Sequence, residues 1–107
     1  MKTIRILGND FKVMPTSNAI RRKKGSVSKW SLGASNTIDD RTIWINKDMH
    51  PEEKTTTLIH ECLHSISFIS NLRLSERQVR GLEVGLFAIL KDNKVDITPL
   101  RKIANSV

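Results

Sequence analysis

The sequence lacks what a membrane or secreted protein needs. No apolar run approaches the ~20 residues that a helical span requires, and the first fourteen residues mix charged with apolar side chains instead of forming the apolar core of a secretion signal. A single cysteine excludes an internal disulfide and fits a reducing compartment, so the cytoplasm is the expected location. Tyrosine is absent, and two tryptophans and three phenylalanines are few for a nucleic-acid reader; no reader motif accompanies them. There is no internal repeat and no low-complexity segment beyond one basic run. Acidic residues are also scarce, 11 against 18 Lys+Arg, for a net charge of +7. That balance implies solubility and at most a weak, nonspecific association with nucleic acid through basic residues. With 107 residues the chain is expected to be one domain over 1–107, since either half would be too small to fold alone. Nothing in it points to a particular oligomeric state.

What is present reads as α+β. Over residues 3–14, Ile4 and Ile6, then Phe11 and Val13, alternate with polar neighbours around Gly8-Asn9-Asp10, the pattern of a hairpin. Residues 15–28 carry loop signals and include Arg21, Arg22, Lys23 and Lys24, which read as a solvated loop. A strand is expected over 29–33, with Trp30 and Leu32 on one face, then a turn over 36–40. A firmer strand follows over 41–46, with Ile43 and Ile45 facing one way and Thr42 and Trp44 the other. Pro51 suits the first position of a helix, and Glu52 and Glu53 put negative charge where the helix dipole favours it. That helix should run to about Ser70. Ser75 is the expected N-cap of a second helix reaching Lys91, with Val79, Leu82, Leu86, Ile89 and Leu90 on one face. Thr98-Pro99 opens a short last helix through Ala104.

The chemistry lies in His60-Glu61-Cys62-Leu63-His64, an HExxH motif within the first helix. At 100° per residue the two histidines sit about 40° apart, while Leu58, Ile59, Cys62, Leu63, Ile66 and Ile69 take most of the opposite arc. The core face and the histidine face are therefore separate, and both imidazoles can point into one cleft as neutral nitrogen ligands. Polar Thr56, Thr57 and Ser67 lie on the histidine side. Glu61 is displaced to the flank of the pair, where its carboxylate can take a proton from a water activated at the metal. Cys62 points away from the histidines and reads as a small core residue. Two surface histidines with a glutamate between them by accident is the bland reading. The motif's position in mid-helix, after a strand, weighs against it.

With these residues in view, the chain resembles the ImmA/IrrE-type zinc peptidase domains, many of them small proteins of phages and mobile elements. The resemblance covers about residues 43–93. It consists of Thr42-Ile43-Trp44-Ile45-Asn46, a Pro-Glu-Glu helix start, Thr57-Leu58-Ile59 leading into the HExxH motif, Leu74-Ser75-Glu76, Gly85-Leu86-Phe87 and Asp92-Asn93. It implies a small zincin-like domain, with N-terminal antiparallel strands followed by the HExxH helix and a second helix that brings an acidic ligand. It implies Zn2+ on His60, His64 and a glutamate of the second helix, with Glu61 as general base in a gluzincin-like peptidase. A metzincin-like pattern is excluded, because Ser70 stands where its third histidine would be. The chain departs from better-known relatives in having no tyrosine, and only His50 besides the motif histidines, to stabilise an oxyanion.

The third ligand stays open between Glu76 and Glu83, which lie seven apart on nearly the same stripe. An antiparallel return from the first helix favours Glu83. The resemblance implies Glu76, because the position of Glu83 is usually a small residue in the relatives. The expected function is zinc-dependent hydrolysis of a protein or peptide substrate, laid along strand 41–46 by β-augmentation. So small a domain walls its cleft thinly, which suits a flexible substrate segment or a partner that completes the site. The second reading is a non-catalytic binding module of the same fold, nucleic-acid-associated through the basic run, Lys29, Arg73, Arg77 and Arg80.

Overall fold

A computed structural model describes residues 2–16, 33–36 and 41–107. Strands β1 (Lys2–Ile6) and β2 (Asn9–Thr16) form the expected hairpin, in register from Lys2↔Val13 to Ile6↔Asn9. Alternation sets its faces: Ile6, Phe11 and Val13 are buried, while Arg5, Asp10 and Lys12 face solvent. The turn falls earlier than Gly8-Asn9-Asp10. Leu7 and Gly8 are its central residues, with φ of 49° and 81°, and Asn9 and Asp10 already pair with β1. Two positive φ values in a two-residue loop match the twist of the flanking strands. Asn9 still serves the turn from its flank, its side-chain amide donating to the Leu7 carbonyl at 3.2 Å.

Strands β3 (Gly33–Asn36) and β4 (Thr42–Asn46) complete a four-stranded sheet of order β1-β2-β4-β3. Strand β4 runs parallel to β2, with Val13 opposite Ile43, and antiparallel to β3, with Ser35 opposite Ile43. The sheet is therefore mixed, not antiparallel throughout. The strand expected to present a free edge is interior, because β4 inserts between β2 and β3. Interior placement also overrides its two-faced pattern, since Thr42 and Asn46 are buried along with Ile43 and Ile45. Among the described residues the edge on that side belongs to β3. Ladder pairing from Gly33↔Ile45 to Asn36↔Thr42 carries this strand into the start of the expected turn, so tertiary pairing outweighs the turn propensity of Ser35 and Asn36. The strand expected over 29–33 lies, but for Gly33, outside the described residues, as do Arg21, Arg22, Lys23, Lys24 and Lys29.

Helix α1 (Pro51–Ile69) starts where expected, with proline in its first turn and Glu52 and Glu53 beside it. His50 caps it, its Nδ1 accepting from the Glu52 N–H at 3.2 Å, and so is spent on structure. Leu58 is fully buried against Ile6, Phe11, Val13, Ile43 and Ile45 of the sheet, with Cys62 and Ile66 packed beside it. Helix α3 (Thr98–Ala104) closes the same core with Ala104, Leu100 and Ile103. The Lys54 ammonium donates to the Val107 carbonyl at 3.0 Å.

Helix α2 (Glu76–Asp92) behaves differently from expectation. Val79 is its one buried residue, while Leu82, Leu86 and Ile89 of the expected core stripe are exposed. The helix packs mainly on α1 and not on the sheet. Its inner side is shared between Val79 and two glutamates, so the flank of the apolar stripe stays in solvent. No helix among the described residues is long and apolar enough to cross a membrane.

Leu7 offers a test of the turn. A leucine at positive φ costs about 1 kcal/mol of backbone strain, and its side chain is 59% exposed, so little packing offsets that cost. Leu7→Asn should raise unfolding stability by about 1 kcal/mol. A rise in urea midpoint at unchanged slope is the expected result, and a fall would show that the Leu7 side chain is needed.

Candidate metal centre

The site is assembled by a tight reversal between α1 and α2. At the end of α1, Asn71 adopts a left-handed φ of 55°, and the N–H groups of Asn71 and Leu72 donate to the carbonyls of Phe68 (3.2 Å) and Ser67 (2.9 Å). This is the Schellman arrangement, in which a left-handed residue lets the chain close over the last carbonyls. The Ser67 hydroxyl then accepts from the Leu74 N–H at 2.9 Å, fastening the connection to the helix it has just left. Ser75 caps α2 with a reciprocal pair: its hydroxyl accepts from the Gln78 N–H, and the Gln78 side chain accepts from the Ser75 N–H. Thr57 and Ser67, expected to line the histidine face, are buried and used structurally. Thr57 contacts the Met49 sulfur at 3.9 Å, and Ser67 holds the reversal.

The reversal brings Glu76 onto the histidines. Its Oε1 lies 2.8 Å from His60 Nε2 and its Oε2 2.8 Å from His64 Nε2, and the two imidazole nitrogens are 3.2 Å apart. One donor atom from each of His60, His64 and Glu76 falls within 4.8 Å of the others, a group that could hold a metal ion. Arg80, one turn further along α2, reaches Glu76 Oε1 at 3.4 Å. Glu83 is also present: its Oε1 lies 2.6 Å from Nδ1 of His60. Both glutamates therefore engage the histidines, at different nitrogens, which the choice of one or the other did not foresee. The available signal was that the two glutamates share one helix face; Glu76 meets Nε2 of both histidines and Glu83 meets Nδ1 of His60.

Burial and charge act unequally on the two rings. Burial disfavours the charged form of His60, but the hydrogen bond to Glu83 and the negative charges of Glu61, Glu76 and Glu83 outweigh it and hold its pKa above the ordinary value. Burial also acts on His64, and with the neighbouring His60 it wins over Glu76, so this ring lies below the ordinary value. Two imidazole nitrogens 3.2 Å apart cannot both carry protons cheaply, and the shifts of the two rings run in opposite directions. Glu61 is fully buried, and its charge acts on both His60 and Cys62.

Cys62 is the core-side residue that its position on the helix suggested. It packs against the core cluster, and burial followed by the charge of Glu61 pushes its thiol up to about 12. In native protein near pH 8, iodoacetamide should therefore label Cys62 at least about a hundredfold more slowly than in the unfolded chain, since the thiolate is the nucleophile. Equal rates in the two states would show that the thiol is neither packed nor charge-suppressed.

Compared with protein-family models, with curated proteins and with solved structures, the chain matches none.

Proposed function

We propose that this chain is a zinc-dependent peptidase of the ImmA/IrrE-like, zincin-like kind, with His60, His64 and Glu76 as ligands and Glu61 as general base. The convergence of two imidazole Nε2 atoms and one carboxylate on a single point carries the reading. The donor set fits zinc, for which two histidines and a glutamate are a known catalytic combination that leaves one position for water or substrate. Zinc held there would act as a Lewis acid, polarising a carbonyl and acidifying a water.

The remaining work falls to the protein's own groups. Glu61, adjacent in sequence to one ligand and one turn from the other, takes the proton of the attacking water and delivers it to the departing amine. A protein or peptide segment is the substrate class. Strand β3, the outer strand of the sheet among the described residues and packed on α1, takes over from β4 as the edge along which an extended chain can pair. The cytoplasm remains the location that the lone thiol favours. Arg80, one of the cations counted toward nucleic-acid binding, is engaged with Glu76, which weakens the binding-module alternative.

Purified protein should carry about one zinc per chain, and His60→Ala or His64→Ala should remove most of it. Glu61→Gln should keep the zinc while lowering cleavage of a random peptide library about 10²–10⁴-fold. Zinc at full stoichiometry with no cleavage by the wild type would leave a metal site and remove the peptidase reading. Absence of zinc after growth in zinc-replete medium would remove both.

Protonation gives a second test. With His60 raised and His64 lowered, His60 is the ring that keeps its proton to higher pH, and zinc must displace that proton. Calorimetry in buffers of different ionisation enthalpy should report proton release on zinc binding that declines as pH rises through the His60 pKa. Zinc affinity should weaken as pH falls through the same range. Release near two protons would contradict the split between the rings.

A further inference from the structure

Glu83 stands outside the three-donor cluster yet makes its shortest contact. Its Oε1 lies 2.6 Å from His60 Nδ1, on the side of the imidazole away from Glu76 and His64. A neutral imidazole carries one proton on either of two nitrogens, and only the nitrogen without it can bind a metal. We propose that Glu83 is a positioning residue, whose carboxylate accepts the Nδ1–H of His60 and so commits Nε2 to face Glu76 and His64. The proposal rests on the metal-centre reading above and adds to it a residue that the three-donor set does not contain.

Three observations carry it. The contact is short and charge-assisted, the class of hydrogen bond that holds a ring in one orientation. It is sheltered: the side chains of His60 and Glu83 are only 12% and 22% exposed, so water competes poorly for either partner. It is also built by the same helix that supplies Glu76. Seven residues on a helix advance about 10.5 Å and return to nearly the same face. Helix α2 therefore meets one imidazole at both nitrogens, Glu76 at Nε2 and Glu83 at Nδ1. With the ring held on both sides, neither its tautomer nor its rotation needs to change when a cation arrives. Carboxylates bonded in this way to a ligand histidine raise its basicity as well as orient it.

The experiment compares wild type with Glu83→Gln, which keeps an acceptor oxygen but no charge, and Glu83→Leu, which keeps neither. Zinc affinity is measured by competition with a chromophoric chelator, and the His60 ring by nitrogen-edited NMR of the zinc-loaded protein. Zinc binding should weaken about tenfold in the glutamine variant and about a hundredfold in the leucine variant. The wild type should show a slowly exchanging, downfield proton on His60 Nδ1. That proton should move upfield with glutamine and be lost to exchange with leucine, whereas a glutamate that merely tethered two helices would leave it in place. Should the leucine variant fail to fold, the glutamine variant carries the test. Equal zinc affinity in wild type and Glu83→Gln overturns the proposal while leaving the metal centre standing, as does a His60 Nδ1 without a proton. Loss of zinc from Glu83→Gln as complete as from His60→Ala also overturns it, by making Glu83 a ligand. A wild type that binds no zinc overturns the metal centre and this proposal together.

Discussion

Between the last turn of α1 and the first of α2 the chain reverses direction in six residues, and Ser67 holds that reversal twice, through its carbonyl to the Leu72 N–H and its hydroxyl to the Leu74 N–H. The geometry of the site follows from how tight this turn is. A looser connection would lift α2 along α1 and set Glu76 past His64, leaving the imidazoles facing solvent. The tightness has a cost, since Asn71 and Arg73 both sit at positive φ. Asparagine tolerates that conformation, whereas for arginine it amounts to about 1 kcal/mol or more of strain. Strain of this kind, beside a cluster of facing imidazoles and carboxylates, belongs to a connection whose shape is required.

Charge is distributed against the overall balance. The chain carries +7, yet Glu61, Glu76 and Glu83 gather around two imidazoles in the angle between α1 and α2. A molecule that attracts anions at long range thus holds, among the described residues, a short-range group that could take a cation. The two effects act at different distances, because exposed charges are screened beyond about 8 Å at physiological salt while sheltered pairs are not.

The parts of the structure legible in the sequence are those that local pattern decides. The arc separating His60 and His64 from Leu58 and Ile59, the proline start of α1, the cap at Ser75 and the β1–β2 hairpin all follow from periodicity and end chemistry within one element. What pattern could not supply is which elements become neighbours. Strand β4 reads as an amphipathic edge, but a partner on each side makes it interior. The stripe of Leu82, Leu86 and Ile89 has helical period, yet α2 leans on a single helix and leaves that stripe in solvent. The sequence sets Glu76 and Glu83 against each other as alternatives, whereas His60 meets both. Both glutamates find a place because the ring has two nitrogens.

Helix α1 buries seven residues and α2 only Val79, and this inequality bears on how the molecule opens. Segments with little buried surface open at smaller free energies than well-buried ones, which makes α2 the looser tier and α1 with the sheet the firmer. The histidines ride on the firm tier and the two outer glutamates on the loose one. Whatever is gripped by both tiers adds its binding free energy to the detachment of α2 and leaves the rest of the chain as it was.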